Sequence, residues 1–197
     1  YGNKFISEGP QVLSSKKYDI SFVGLVSGCE KRTRILNVLA EHCSEKDYKM
    51  VLYGHYWHNE HWWQRIIGGI KFRLKYPKLY KYVHNQYLTP EQAAQLYCDS
   101  KININIHVER HSGMNIRVFD ILANGNFELC DVRELECTKL IDGKHLVLYY
   151  NDDDLLAKVD HYLLHKDELV KIASEGGKIL EKEYKFVDAL KFVLLEN

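Results

Sequence analysis

Short apolar segments alternate with longer segments of helical periodicity along the chain. The apolar segments are rich in aliphatic and aromatic residues and end in glycine or polar residues, a pattern that predicts β-strands. The predicted strands span residues 18–24, 49–54, 82–84, 102–106, 127–130 and 146–150. Strands that alternate with helices favour a parallel sheet with helices on both faces, so the predicted fold class is α/β. Ligands of such folds bind at the carboxyl ends of the strands.

The sequence predicts three parts. Residues 1–17 are polar, include Gly9-Pro10 and are interpreted as a linker or approach segment. Residues 18–184 are predicted to form one domain, with a helical insert rich in basic and aromatic residues at about 55–82. Residues 185–197 are predicted to form a C-terminal helix. The helical stretch that begins at residue 167 is expected to break into two helices at Gly176-Gly177.

One strand–loop–helix unit is central to the prediction. The strand at 102–106 precedes a loop with Gly113 and a helix that Gly125 is expected to end. Four apolar residues of this helix are expected to face the sheet: Ile116, Phe119, Leu122 and Ala123. Three polar residues recur at similar spacing on another face: Arg117, Asp120 and Asn124.

This unit has the features of an anion site. Gly113 lets the backbone approach a ligand closely, and the amide groups at the start of the helix, with the positive end of its dipole, attract negative charge. The alternative is an ordinary α/β loop in which Arg117 and Asp120 form a surface ion pair.

A second group of basic residues lies where the first predicted helix begins. Lys31, Arg32 and Arg34 follow a strand that ends in Gly24, and they either are solvated or help to bind an anion. The loop at 24–28 matches neither the glycine pattern of dinucleotide-binding folds nor a P-loop, which argues against NAD and against ATP hydrolysis.

Composition narrows the possible partners. The 27 basic and 27 acidic residues cancel, so no net charge favours nucleic acid as a partner. The five cysteines include no Cys-x-x-Cys pair, which predicts reduced thiols in a cytosol-like compartment. No apolar run is long enough to span a bilayer. The chain starts at Tyr1 without an initiator Met, and we expect it to be part of a longer protein.

Two clusters could hold a metal. His55, His58 and His61 recur at a spacing that could approach one helix face, although no thiol lies nearby and aromatic packing is the alternative. Asp152 to Asp154 follow an apolar strand, as in metal-dependent sugar transferases; the alternative is that Asn151 or Asp152 caps the next helix.

The insert carries a basic and aromatic patch. Lys71 to Lys81 contribute five cations that interleave with Phe and Tyr residues, so the patch is either a solvated helical surface or a contact for anionic lipid headgroups. Membrane contact would suit a lipid-linked acceptor.

An ordered series of motifs covers residues 18–184. It comprises FVG at 22–24 before the basic helix start, LYG at 52–54, YLTPE at 87–91, ININ at 102–105 and MNIRVFDILANG at 114–125. This series resembles the C-terminal, donor-binding domain of glycosyltransferases of the GT-B architecture, a Rossmann-like fold. Within that class it is most similar to the CgeB-like spore-maturation group.

The resemblance implies a nucleotide-sugar site. Relatives carry a ribose-binding Glu where this chain has Asp120, which is one methylene shorter. The residues that the resemblance implies around the donor are Gly24, Lys31, Arg32, Gly54, Tyr87, Leu88, Gly113, Met114, Asn115, Arg117 and Asp120. The backbone at 113–115 would receive the diphosphate, with Arg117, Arg32 and Lys31 neutralising its charge, and the main chain at 87–88 would meet the base.

The resemblance also implies a reaction and a context. A nucleoside diphosphate would leave without a required metal or other cofactor, and Arg117 with Arg32 would stabilise its charge. The catalytic base and the acceptor site would lie on an N-terminal domain outside this chain. The setting would be bacterial surface-glycan synthesis in the cytoplasm, at the inner membrane face where the insert contacts lipid.

One position departs from the pattern. Many retaining relatives carry a Glu eight positions before the ribose-binding acid, and this chain has Ser112 there. This departure leaves the sugar contact and the stereochemical outcome open. Two readings from other classes also stay open: a non-catalytic nucleotide- or sugar-binding module, and a metal-dependent transferase that uses Asp152 to Asp154.

Overall fold

The computed structural model describes residues 13, 15–57, 61–108, 114–132, 135 and 138–183. Several predictions lie outside this part of the chain. They are most of the segment 1–17, the helix at 185–197, and the positions of His58, Ser112 and Gly113.

A parallel six-stranded sheet forms the centre of the fold, as the sequence predicted. The strands are β1 (Tyr18–Val23), β2 (Met50–Tyr53), β3 (Val83–His84), β4 (Ser100–Asn105), β5 (Glu128–Asp131) and β6 (Val147–Tyr149), in the order β3-β2-β1-β4-β5-β6. All neighbouring strands pair in parallel. This strand order is Rossmann-like. Successive strands are added toward one edge of the sheet up to β3 and toward the other edge from β4 onward, and such folds bind ligands at the point between β1 and β4 where this order reverses.

Seven helices lie between or after the described strands. They are α1 (Glu30–Lys46), α2 (Trp62–Lys75), α3 (Pro77–Tyr80), α4 (Pro90–Cys98), α5 (Ile116–Ala123), α6 (Asp152–Leu164) and α7 (Lys166–Glu183). Helix α1 packs with α3 and α6, whereas α5 packs with α4 and α7. Two groups of helices therefore enclose the sheet.

Apolar side chains of the strands alternate between two clusters. In β6, Val147 and Tyr149 belong to the larger cluster, which also holds the interior residues of β1, β2 and α1. Leu148 belongs to a smaller cluster with Val118 and Leu122 of α5. Successive side chains of a strand point to opposite faces, so both faces of the sheet are buried.

The buried face of α5 differs from the prediction. Val118, Ile121 and Leu122 are buried, whereas Ile116 is 77% exposed and Ala123 is exposed. The helix begins only after Asn115, and the residues at spacing i, i+3 and i+4 that meet the sheet are therefore Val118, Ile121 and Leu122.

The predicted break at Gly176-Gly177 is wrong, because α7 continues from Lys166 to Glu183. Both glycines are buried, and a Cβ at Gly176 would lie 2.4 Å from the His145 carbonyl oxygen. The glycine thus lets the helix approach the backbone before β6. The need for this close approach outweighs the low helix propensity of glycine.

Candidate functional site

The ends of β1 and β4 diverge at the reversal point of the sheet. Arg32 of α1 bridges the two loops there: its Nε donates to the Ile106 carbonyl at 2.8 Å and its Nη1 donates to the Leu25 carbonyl at 2.6 Å. The side chain is buried, and burial, followed by the positive charge of Arg117, lowers the pKa of Arg32. Arg32 therefore fixes the crevice and adds positive charge to it.

Arg117 is the second guanidinium of this crevice. Its Nη1 lies 3.6 Å from the point that a Cβ at Gly24 would occupy, which places it beside the end of β1. Within the part of the chain that the structure describes, no ion pair joins Arg117 to a carboxylate. Burial raises the pKa of Tyr97, and the neighbouring Arg117 opposes that shift. Arg117 thus adds a second positive charge to the crevice at the start of α5.

Asp120 lies one turn after Arg117 and is exposed. Partial burial raises the pKa of its carboxyl, and the charge of Arg117 acts in the opposite direction. The sequence left open a surface ion pair between Arg117 and Asp120 as the alternative to an anion site. No such pair is formed among the described residues. The carboxylate is accessible to a ligand.

The start of α5 is held by a polar network. Asn115 caps the helix, since its Oδ1 accepts from the Val118 amide at 3.3 Å, and its side chain exchanges hydrogen bonds with Asn105 of β4. Asn105 Nδ2 also donates to Oε1 of Glu128 at 2.8 Å. Glu128 is fully buried, and its Oε2 has no hydrogen-bond partner among the residues that the structure describes. Burial raises the pKa of Glu128 to about 8, against the hydrogen bond from Asn105 and the charge of Arg117.

A second network joins α1, β4 and β5. Asp131 accepts from His107 Nδ1 at 2.7 Å and pairs with Lys31 Nζ at 2.6 Å. The Asn115 amide donates to His107 Nε2 at 3.2 Å, so Nδ1 carries the proton that Asp131 accepts. Burial alone would raise the pKa of Asp131, but the hydrogen bonds from His107 and Lys31 hold it below its ordinary value.

Two groups of the predicted donor site have partners within the chain. The Asn115 amide, expected to receive the diphosphate, is engaged by His107. Lys31, expected to neutralise the diphosphate, is paired with the buried carboxylate of Asp131, since its side chain reaches across to β5. Met114 is half-buried and packs against the smaller apolar cluster.

The same network brings together three potential metal ligands. Side-chain atoms of His107, Cys130 and Asp131 lie within 4.8 Å of one another, and all three residues are buried. The ammonium group of Lys31 and the Nδ1–H of His107 already balance the Asp131 charge. These contacts fit an ion pair that supports the loop better than a cation site.

Gly24 and Gly54 allow the strand ends to touch. A Cβ at Gly54 would lie 1.8 Å from the Gly24 carbonyl oxygen, and Gly54 has a φ of 153°, within the region that favours glycine. The Gly24 amide donates to the Tyr53 carbonyl at 2.9 Å. Both predicted residues therefore shape the edge of the crevice through the backbone.

Tyr87 and Leu88 follow β3, farther along the same edge of the sheet. Tyr87 is 72% exposed, and its ring stacks on His55 with 5.9 Å between centroids and 5° between planes. Leu88 is half-buried. The structure thus presents an aromatic surface near the predicted base-binding segment.

The two metal-binding alternatives have structural explanations among the described residues. His61 caps α2 together with Gln64. At the acidic cluster, Asn151 caps α6, Asp152 pairs with Arg34, and Asp154 pairs with Lys158 at 2.8 Å. These contacts match the capping interpretation.

Sequence reasoning did not identify three residues of the site: His107, Glu128 and Asp131. A signal existed for two of them. Glu128 and Asp131 are the first and last residues of β5, a strand of the parallel sheet. An acidic residue in such a strand is buried and needs a partner.

A cleft of about 1090 Å³ opens between the loop after β1, the outer side of α1, and α2. Lys31 lines it, whereas Arg117 and Asp120 are not among its described lining residues and lie at the neighbouring crevice between β1 and β4. Among the described helices, none has the length and apolar character needed to cross a bilayer.

Solved structures share this fold. HepE from Anabaena, in complex with UDP-glucose, has a TM-score of 0.66 at 12% identity, and the match covers 100% of this chain and 54% of HepE. Sucrose-phosphate synthase from Thermosynechococcus elongatus has a TM-score of 0.65 at 14% identity, with 91% and 45% covered. The C-terminal domain of LpcC, a group 1 glycosyl transferase from Francisella tularensis, has a TM-score of 0.63 at 12% identity, with 91% and 94% covered.

These identities establish the fold alone. The chain spans about half the length of the HepE and sucrose-phosphate synthase chains that it matches. A search of the curated proteins gave no match. The sequence itself matches a family over residues 32–194, more than half of its length, and by this match the chain belongs to the glycosyl transferase-like family.

Proposed function

We propose that this chain is the donor-binding domain of a glycosyltransferase, which binds a nucleoside diphosphate sugar and transfers the sugar to an acceptor. The observation that carries the proposal is the position of Arg117. Its guanidinium lies beside Gly24 at the reversal point of the sheet, at the start of α5 and close to Arg32, without a carboxylate partner among the described residues. Two neighbouring guanidinium groups favour a multiply charged anion.

The diphosphate occupies the start of α5. The first-turn amide groups of a helix have no helical partners, and the Asn115 amide is engaged by His107. The amides of Ile116 and Arg117 and the Arg117 side chain therefore receive the phosphates, and Arg32 contributes its charge from behind. Gly113 belongs to the same loop and lies outside the described residues.

The nucleoside lies along the carboxyl edge of the sheet. Asp120 accepts from the ribose hydroxyls, since its carboxylate is accessible one turn after Arg117. The main chain at Tyr87 and Leu88 meets the base, next to the exposed ring of Tyr87. The HepE complexes with UDP and UDP-glucose support this class of ligand.

The chemistry is departure of the nucleoside diphosphate. Fixed amides and the charges of Arg117 and Arg32 stabilise the negative charge that grows on the leaving group, so the reaction requires no metal. The catalytic base and the acceptor site lie on an N-terminal domain outside this chain. Within the glycosyltransferases we assign the chain to the CgeB-like group. Its parent protein would act in bacterial surface-glycan synthesis in the cytoplasm.

Calorimetry tests the proposal. We expect the chain to bind UDP, ADP or GDP, or one of their sugar conjugates, and Arg117→Ala to weaken that binding by at least about tenfold, the loss of a charge-assisted contact. Asp120→Ala should weaken nucleotide binding and leave the affinity for inorganic pyrophosphate unchanged. Arg65→Ala, an exposed arginine on α2, is the matched control. Failure to bind any of these nucleotides, or equal affinity in Arg117→Ala, would contradict the proposal.

Ser112 favours one alternative, a binding module without catalysis, because many retaining relatives carry a Glu at this position. Such a module would bind the same nucleotide sugar, yet the intact parent protein would form no glycoside. A transferase that depends on metal through Asp152 to Asp154 would instead lose activity with a chelator.

A further inference from the structure

Helix α2 exposes an apolar face. Six large apolar residues are 47–79% exposed: Trp62, Trp63, Ile66, Ile67, Ile70 and Leu74. At 3.6 residues per turn they fall within one arc of the helix surface. We refer to these six residues as the α2 face. Scattered exposed apolar residues are normal, but a contiguous face of this kind indicates an interaction site.

The opposite side of α2 is anchored to the body of the domain. A Cβ at Gly68 would lie 2.8 Å from Cδ1 of Trp57, so the absence of a side chain lets the indole ring lie against the helix. Phe72 packs on Trp57 with 5.3 Å between ring centroids and on Tyr56 with 5.7 Å. This anchoring directs the α2 face outward.

The helix and its extension are strongly basic. Residues 62–82 contain six Lys and Arg residues and no Asp or Glu, although the whole chain has a formal net charge of zero. The six cations are Arg65, Lys71, Arg73, Lys75, Lys78 and Lys81. Only Lys78 among them pairs with a described carboxylate, that of Glu45 at 3.6 Å. The segment therefore combines an apolar arc with an excess of positive charge.

We propose that the α2 face binds a bilayer surface that contains anionic phospholipid. An amphipathic helix with Trp, Ile and Leu on one side and basic residues beside them lies at the boundary of headgroups and acyl chains. Lysine and arginine stems reach along the apolar arc so that their charged ends meet lipid phosphates. The two tryptophans suit the interfacial region, where an apolar ring and a polar N–H are both satisfied.

The charge distribution favours lipid over a second copy of the chain and over nucleic acid. A symmetric dimer would place this face against itself and bring twelve cations, six from each copy, into one interface, where like charges repel. Nucleic acid would satisfy the cations but leave Ile66, Ile70 and Leu74 without an apolar partner. An anionic bilayer satisfies both components of the surface.

Vesicle flotation tests the proposal. The 197-residue chain should float with phosphatidylcholine vesicles that contain phosphatidylglycerol and much less with phosphatidylcholine alone. Ile66→Gln with Ile70→Gln should reduce the partition coefficient by at least about tenfold, since two side chains lose their burial in lipid. Lys71→Gln with Lys81→Gln should reduce it by about tenfold and weaken its dependence on salt. Leu164→Gln, an exposed leucine on α6, is the control and should bind as the wild type does.

Tryptophan fluorescence separates insertion from adsorption. Brominated lipid should quench emission from Trp62 and Trp63 in the wild type and fail to quench it in the isoleucine double variant. The changed positions are exposed, so thermal unfolding should be unaltered in every variant. No flotation, equal binding to neutral vesicles, unchanged binding in the isoleucine variant, or a dimer that this variant dissociates would each overturn the proposal.

Discussion

Asn105 and Asn115 exchange two side-chain hydrogen bonds, with Nδ2 to Oδ1 distances of 3.0 and 2.9 Å. The pair joins the last residue of β4 to the cap of α5 and so closes the intervening loop at its base. Because the amide pair fixes where α5 begins, we expect it to position the Arg117 guanidinium as well. The proposed anion site would then depend on contacts between β4 and the start of α5.

Asn115→Ala should weaken both folding and nucleotide binding. The change removes the cap of α5 and leaves the Asn105 amide without one partner, which should lower the free energy of unfolding by about 2 kcal/mol. Asn151→Ala removes the cap of α6, which contributes no residue to the proposed donor site, and should cost about 1 kcal/mol without changing UDP affinity. Urea unfolding and calorimetry measure the two effects. Equal UDP affinity in both variants would show that the cap does not position Arg117.

Lys31→Met should act mainly on stability. Its ammonium group pairs with buried Asp131, so the variant removes the positive charge that balances this carboxylate and should lose about 2 kcal/mol. The folded pKa of Asp131 lies below the ordinary 3.8, so this stabilisation is present above pH 3.8 and is lost as pH falls through the folded pKa.

Urea unfolding at neutral and acidic pH checks this prediction. The difference between wild type and Lys31→Met should shrink as the pH falls below 3.8, and UDP affinity should drop less than in Arg117→Ala. Lys17→Met removes the exposed pair with Asp99 and should leave the free energy of unfolding nearly unchanged. A loss of UDP affinity as large as that of Arg117→Ala would assign Lys31 to the diphosphate directly.

The sheet could be predicted from sequence because its signal is local. Each of the six strands was placed within two residues at either end, since each is a short segment rich in aliphatic and aromatic residues that ends in glycine or a polar residue. The cap of α4 was also predictable, because Thr89 and Gln92 have the spacing of a capping box.

The partners inside the site could not be predicted, since they are distant in sequence. Lys31 and Asp131 are 100 positions apart, and Arg32 meets Ile106 across 74 positions. A basic residue at the start of a helix has the same sequence pattern whether it binds a ligand or a buried carboxylate. The helix break predicted at Gly176-Gly177 was wrong for the same reason. The glycine at 176 is needed because the His145 carbonyl, which is distant in sequence, lies against it.

Gly176→Ala should destabilise the protein although alanine is the better helix former. Propensity alone would favour alanine by about 1 kcal/mol, but the new Cβ would lie 2.4 Å from the His145 carbonyl oxygen and 2.9 Å from Leu122 Cδ2. We expect a net loss of about 2 kcal/mol in the free energy of unfolding. Glu181→Ala, at an exposed position of α7, is the control and should be nearly neutral. A stabilised Gly176→Ala variant would mean that α7 can shift away from the strand.

Glu128→Gln should remove a pH dependence of stability. Between pH 4.5 and 8 the folded chain keeps the Glu128 proton that the unfolded chain releases, so the folded state binds more protons and the free energy of unfolding falls as pH rises. Glutamine can keep the hydrogen bond from Asn105 and has no proton to lose, so the variant should gain up to about 4 kcal/mol over the wild type across this range. The variant should also keep its UDP affinity above pH 8. In the wild type, Glu128 ionises there and would compete with the diphosphate for Arg117. Glu181→Gln, an exposed acid on α7, should follow the wild-type pH profile in urea unfolding. Parallel profiles for Glu128→Gln and wild type would show that Glu128 is already ionised in the folded protein at neutral pH.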